Sequence, residues 1–428
     1  MNKSRIQAIE PLRLFEDLYN HALEKDFAGI DPFDGLESKL VKKTGLNKFA
    51  LTRLLFLQFV KRFPFNLRPF LGIAEAVNPK TIALFAMAAC RARFTGNRKY
   101  SALDKNQNSE KINFLCKRLF CLAKRLETPE GDAIAFGYNF DWQSRAFFAP
   151  KGTPTAVPTA FAAKAFMDAY AATSSEDYLE AALQISRFIR FHLNRSFETV
   201  DELCFSYTPL DKSLIYNASL LSAEVLARVG AIKKDEAALN DAVRAVRFVI
   251  RRQNADGGWQ YGPLIRHRWR DNFHTAFILS SLLQIYEAIP EIGDEIKPAL
   301  NRGINNWIEN FFLEDGTPKY FDTRIFPIDV HSVGAAISVL SELAIALNKS
   351  TLQLTNSDIK FTAEEILLLA ERVYQTALGL LFDGKSTFYY QRLRFFTIKT
   401  DFMRWGRAWM ALAAASLAMA RMEAGYKQ

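Results

Sequence analysis

Two kinds of helical pattern alternate along most of this chain, and the alternation restricts the fold more than any single motif. One kind is apolar on all sides and rich in Ala, Ser and Leu, as a helix buried on both faces should be. It recurs at Thr81–Phe94, Val157–Ala172, Ile215–Gly230, Asn272–Ile289, Asp329–Leu347 and Asp401–Glu423. The other carries charge on one face, at Ile112–Leu126, Glu176–Leu193, Asp235–Gln253, Ile292–Phe312 and Thr362–Phe382. Asn217, His274 and His331 stand at matching places about 57 residues apart, a step longer than the usual solenoid periods. Six inner helices with outer partners predict an all-α fold, an (α/α)6 toroid or six-hairpin barrel with short extended segments in its loops. A one-dimensional solenoid is the alternative, but hairpins of this kind close more readily than they extend.

On this reading the segment near Phe49–Phe63 supplies the sixth outer helix. Residues 1–77 form N-terminal helices packing on the toroid, and 78–428 form the toroid itself. Closure gathers the inner-helix N-termini, with the loops before them, around one central funnel. Free backbone N–H groups at those termini favour anionic ligands.

The loops share a design: a turn, a short extended piece carrying an aromatic, then a polar entry into the inner helix. Asp256-Gly257-Gly258 is such a turn, since glycine accepts positive φ without steric cost. The loops contribute Tyr138, Asp141 and Trp142; Tyr207 and Asp211, followed by Asn217; Trp259 and Tyr261, followed by Asp271, Asn272 and His274; Lys319 and Tyr320, followed by Asp329 and His331; and Tyr390, followed by Asp401, Arg404 and Trp405. Sugar rings offer flat C–H faces and a rim of hydroxyls, so flat aromatics among Asp, Asn, His and Arg suit a carbohydrate groove. A small apolar ligand needs fewer polar groups.

Plainer roles compete with these. Trp259, Tyr261 and Tyr320 also suit plugs between neighbouring repeats, Asp256 and Asp315 suit turns, and Asp141, Asp271 and Asp329 suit helix caps. His274 and His331 are harder to explain away, because two histidines and Asn217 at equivalent repeat positions point to a shared lumen.

Three functions can be built from this set. Proton abstraction next to a carboxylate, as in uronate C5 epimerisation or lyase-type elimination, needs a partner for the substrate carboxylate (Asn217, Arg404), a base (His274 or His331) and an acid on the opposite face (Tyr261 or Tyr320). Glycoside hydrolysis needs two carboxylates, for which Asp141, Asp271, Asp329 and Asp401 are available. A non-catalytic glycan-binding or assembly protein would use the same groove. Histidines and tyrosines are the more distinctive lumen residues, so proton abstraction on an acidic polysaccharide ranks first. No P-loop, dinucleotide fingerprint, HExxH or GxSxG motif occurs, and neither a metal nor a cofactor is expected.

A core is easily supplied by 428 residues that are 49% hydrophobic and 13% aromatic. The net charge of +9 favours an acidic partner, and equally suits the solubility charge of a basic protein. The partner expected here is a polysaccharide or oligosaccharide rather than nucleic acid. Segment 49–72 interleaves Phe with Lys61, Arg62 and Arg68, which suits either a packed edge helix or peripheral contact with membrane-bound polysaccharide assembly machinery. Cys90, Cys116, Cys121 and Cys204 form no CxxC pair and read as ordinary thiols. No secretory signal and no run of roughly 18 apolar residues is recognised, so a cytoplasmic protein is expected.

From about Phe27 to Trp409, the segments DPFDGLES, FNLRPFLGI, FGYNFDWQ, CFSYTPLD, WRDNFHTAF, GTPKYF and FPIDVHS resemble a bacterial family of six-hairpin toroids. That family is associated with exopolysaccharide and capsule biosynthesis and is often misnamed as δ-aminolevulinic acid dehydratase. The resemblance implies the toroid fold and a place in polysaccharide assembly. DGGWQYG is also similar to the aromatic turn motif of terpenoid cyclase and prenyltransferase toroids, without their acid motif or zinc ligands. A fainter resemblance joins Trp269, Asp271, Phe273, His274 and Thr275 to the aromatic-Asp-Tyr-His-Thr segment of glucuronyl C5-epimerases, with Phe273 in place of the tyrosine.

Overall fold

A computed structural model describes residues 9–45, 48–95, 102–145, 147–349 and 358–425, with the backbone alone for 102–105. The first eight residues of the expected N-terminal segment, and the Gly96-Asn97 end of the first inner helix, lie outside the described residues.

Six inner helices form a closed ring: α4 (Pro79–Thr95), α6 (Ala156–Thr173), α8 (Tyr216–Lys233), α10 (Asn272–Ala288), α12 (Val330–Asn348) and α14 (Ala408–Glu423). Each packs on the next, and α14 packs back on α4, so the all-α toroid is closed and the solenoid is ruled out. Five outer helices pair with the inner helix before them: α5 (Ala102–Leu122), α7 (Glu176–His192), α9 (Glu236–Ile250), α11 (Gly293–Phe311) and α13 (Ala363–Leu381). Inner helices bury nearly every position, whereas α7, α9 and α11 bury one stripe and expose the rest.

The sixth outer helix is α1 (Pro11–Glu24), which packs on α14 and buries Leu14, Phe15 and Leu18. This corrects the expectation for Phe49–Phe63. That segment forms α3 (Ala50–Arg62), whose Leu57 packs with Leu36 and Val41 in a small cluster apart from the main core. Its phenylalanines read as outer-helix packing in sequence, yet Phe49, Leu51, Leu55 and Phe59 are exposed.

A second correction concerns α12, which is long and apolar enough to cross a membrane although no such run is recognised in the sequence. Its most apolar window is 83% buried inside the protein, as the position of a toroid inner helix requires.

The loop design has a repeating hydrogen bond. The carbonyls of Tyr207, Tyr261 and Tyr320 accept the first N–H of the inner helix one repeat earlier, from Ala156, Tyr216 and Asn272 at 2.8, 3.3 and 2.9 Å. Each loop tyrosine thereby satisfies an orphan donor of a helix N-terminus. All outer-to-inner connections emerge at one end of the ring, and α3 lies in the connection from α1 to α4 at that end.

Candidate functional site

At that end the ring encloses a cavity of about 1190 Å³. The repeat register dictates much of its wall. Lys80, Val157, Asn217 and His331 are each the second residue of an inner helix, His274 is the third of α10, and all line the cavity. Arg404, in the π-helical turn Met403–Arg407 that leads into α14, completes the set. π-turns of this kind re-aim side chains and recur at functional sites.

His274 is held by Asp271. The Asp271 carboxylate caps α10 by accepting the His274 backbone N–H at 3.0 Å, and its other oxygen lies 2.7 Å from His274 Nδ1. That oxygen also accepts the Trp269 indole N–H at 3.0 Å. A carboxylate accepts only, so Nδ1 carries the donated proton, and in the neutral tautomer this selects the lone pair is on Nε2. Tyr261 stacks on Trp269 at 4.5 Å and lies 4.6 Å from His274. Burial, then the charge of Asp271, pushes the Tyr261 hydroxyl above its ordinary range, so it stays protonated.

His331 has a different environment. It is buried and stacked on Trp405 at 4.0 Å, with Phe273 edge-on at 4.5 Å. Neither ring nitrogen has a hydrogen-bond partner among the described residues. Burial, reinforced by Lys80 and Arg404, holds its pKa well below the ordinary histidine value, so the imidazole is neutral.

Among the described residues, seven basic side chains line the cavity, Lys61, Arg62, Lys80, Arg145, Arg324, Arg394 and Arg404, against one carboxylate, Asp271. Arg404 is already engaged, since its Nε and Nη2 donate to the two oxygens of buried Asp31 at 2.6 and 2.8 Å. Expected as a partner for a substrate carboxylate, it has a protein carboxylate instead, which the sequence gives no way to see across 373 residues. Lys61, from α3, lies 4.2 Å from the Phe33 ring and 5.3 Å from Trp405, and burial lowers its pKa to about 8.

Of the expected binding residues, Tyr138, Trp142, Tyr207, Asp271, Tyr390 and Trp405 line the cavity together with Tyr261 and Tyr320. Tyr138 and Tyr207 share a hydroxyl contact of 3.3 Å. The others lie behind the wall and hold the frame. Trp259 is a core plug whose indole N–H donates to Val249 O at 3.0 Å, packed against Gly303, where an added Cβ would fall 2.6 Å from the ring. Asn272 accepts the Trp307 indole N–H at 3.0 Å and donates to Lys319 O. The Lys319 ammonium donates to Asp322 O. Asp141 accepts from Lys151 N, Asp211 from Thr208 and Ser213, and Asp401 from Arg407. Asp329 caps α12 and accepts from Gln391 and Trp405, fixing the indole on which His331 stacks. Asp and Trp look alike in sequence whether they cap and plug or bind.

The sequence reading does not name Lys80, and it names Lys61 for a membrane-facing segment and Trp269 for a family resemblance without placing either on the cavity wall. The signal for Lys80 was present: extending the register of Asn217 and His331 back to α4 lands on it.

No protein-family model matches the chain, and no curated protein matches it. Solved structures do. A sugar epimerase from a ruminal bacterium shares 11% identity over 83% of this chain and 91% of its own, with a TM-score of 0.57. An unsaturated glucuronyl hydrolase specific for heparin shares 11% identity over 84% and 91%, with a TM-score of 0.55. Cellobiose 2-epimerase from Bacillus thermoamylovorans B4167 shares 12% identity over 82% and 90%, with a TM-score of 0.53. At these identities the likeness establishes that the chain has the toroid fold of those proteins.

Proposed function

We propose that this protein acts on an acidic, uronate-containing saccharide of polysaccharide synthesis or modification, and that it abstracts the proton next to the carboxylate. The observation that carries the reading is the His274–Asp271 pair, which presents a basic nitrogen in a cavity lined, among the described residues, by seven basic side chains and a single carboxylate. Nε2 of His274 takes the C5 proton, and the electron pair left on carbon delocalises into the carboxylate, whose added charge the cations stabilise. In an epimerase, a tyrosine hydroxyl such as Tyr261 or Tyr320 returns a proton to the opposite face. In a lyase, the C4–O bond breaks instead, leaving a C4–C5 double bond and a protonated leaving group. Two neighbours are named as epimerases and one as a glucuronyl hydrolase, which supports a saccharide as the substrate.

Glycoside hydrolysis by paired aspartates is less well supported. Of Asp141, Asp271, Asp329 and Asp401, only Asp271 is on the wall, and its oxygens are taken by His274 and Trp269. Incubation with uronate polymers in deuterated water tests the reading. Deuterium at C5, or unsaturated uronate absorbance, is expected from wild type and not from His274→Ala. Release of reducing ends without either signal would overturn it in favour of hydrolysis, and binding without turnover would favour a glycan-binding protein.

A second observation supports work at an anionic membrane surface. Exposed apolar and basic side chains lie together on the cavity lining: Leu55 with Arg62, and Phe395 and Phe396 with Arg394. Apolar insertion with basic flanks is how proteins lie on anionic bilayers. Co-sedimentation with phosphatidylglycerol vesicles at low salt, reduced by salt and by Phe395→Ser, is expected. No vesicle binding at low salt removes the idea.

A further inference from the structure

A lysine with no carboxylate partner among the described residues lines the cavity. Lys80 is 2% exposed, yet its side chain lines the cavity. Its Nζ lies 3.9 Å from the centroid of Phe161, 5.1 Å from Trp409 and 5.2 Å from Phe277. Among the described residues no carboxylate pairs with it, and the acid whose charge reaches it, Asp31, is taken by both arms of Arg404. Aromatic faces attract a cation, but they do not replace the water or counter-ion that burial removes. Burial, then Arg404, accordingly moves the Lys80 pKa well below its ordinary value.

Two more buried groups face the same space with unused capacity. Among the described residues, both ring nitrogens of His331 and Oδ1 of Asn217 have no partner, and the two residues are 1% and 3% exposed. His331 lies against the rings that border Lys80, 4.9 Å from Trp409 and 6.0 Å from Phe277. Phe277 also has His274 on it, at 6.4 Å. One phenyl ring thus has Lys80, His331 and His274 around it. Unsatisfied buried groups in a native protein call for an explanation, and a bound ligand is one.

We propose that Lys80, His331 and Asn217 form the subsite that receives the carboxylate and a neighbouring hydroxyl of an acidic sugar. The proposal rests on the acidic-saccharide reading above and adds the place and polarity of recognition. The ammonium of Lys80 donates to a carboxylate oxygen and regains the counter-charge it lacks. Neutral His331 donates its one ring N–H to the ligand, and its other nitrogen accepts. Asn217 Oδ1 accepts from a hydroxyl. A bare anion leaves that oxygen unsatisfied, so the complementary ligand is a hydroxy acid, as a uronate is.

Titration calorimetry with glucuronate and glucose as probes tests this. Wild type is expected to bind glucuronate at least tenfold tighter than glucose. Lys80→Met is expected to lose that preference, Lys80→Arg to keep part of it, and His274→Ala to keep it. A wild type without preference, or a Lys80→Met variant with the wild-type ratio, overturns the proposal. Should the variants fail to fold, acetic anhydride labelling of wild type with peptide mapping supplies the answer. Glucuronate is expected to protect Lys80 where glucose does not, and equal labelling in both overturns the proposal. The outcomes separate from those for proton abstraction. Loss of preference in Lys80→Met with no deuterium exchange in wild type keeps the subsite and removes the reaction, and exchange with an unchanged preference does the reverse.

Discussion

Asp271 serves His274 twice, accepting the backbone N–H at 3.0 Å with one oxygen and facing the ring Nδ1 at 2.7 Å with the other. Asp271→Asn separates the two services. Asparagine caps a helix about as well as aspartate, so stability should change by less than about 1 kcal/mol. An amide that turns its NH2 to the ring favours the wrong tautomer and provides no charge for the imidazolium, a change worth on the order of 10⁴ in rate in a comparable histidine pair. The expected result is a nearly unchanged Tm with C5 exchange reduced by about 10²–10⁴. Exchange at the wild-type rate would show that His274 is not the base.

Trp259 illustrates the opposite case, a residue that looks like a sugar platform and is a plug. Its ring is buried against Gly303 and its N–H is spent on Val249. Trp259→Ala should cost about 3–5 kcal/mol in unfolding free energy, as loss of a buried aromatic does. Saccharide affinity measured well below the lowered Tm should be unchanged, and a selective loss of affinity with normal stability would reverse the assignment.

The contrast shows what the sequence makes legible. Inner and outer helices differ in periodicity, and periodicity reports burial, so the toroid can be read from one chain. Asn217 and His331 can be placed on the wall because the repeat carries both to the second residue of an inner helix, a register that also reaches Lys80, whereas His274 falls one residue later in α10. Contacts between distant segments follow no period. Nothing near Arg404 announces that Asp31 neutralises it, and nothing in α3 announces that it lies over the mouth while α1 closes the ring. Asp141, Asp211 and Asp401 fail as binding residues for a related reason: a turn or ion-pair aspartate has the same local sequence as one that meets a ligand.

His331 makes stability depend on pH. Its folded pKa lies well below the ordinary value of about 6.5 that the unfolded chain has. As pH falls below about 6.5, the unfolded chain takes up a proton that the folded protein refuses, so stability declines with acidification and is recovered above that pH. Tm measured between pH 5 and 8 should fall on the acid side in wild type and fall less in His331→Phe. Equal slopes would mean that His331 is protonated in the fold.

Lys61 is expected to set an alkaline limit on binding of an acidic saccharide. With its pKa lowered to about 8 by burial, it loses its charge within reach of an ordinary assay. KM for an acidic saccharide should rise as pH passes about 8, and Lys61→Arg, which stays charged, should shift or remove that rise. A neutral saccharide should show no such step.

Lys80 carries the largest trade between stability and binding. An unpaired buried ammonium destabilises the free protein, because desolvation is not offset by a counter-charge. Replacing it with an apolar chain of similar length should therefore stabilise the unliganded fold. Lys80→Met is expected to melt higher than wild type without ligand, and glucuronate should raise the Tm of wild type more than that of the variant. A variant that melts lower would mean that the ammonium has a stabilising partner in the free protein, and the cavity floor would then be satisfied without a ligand.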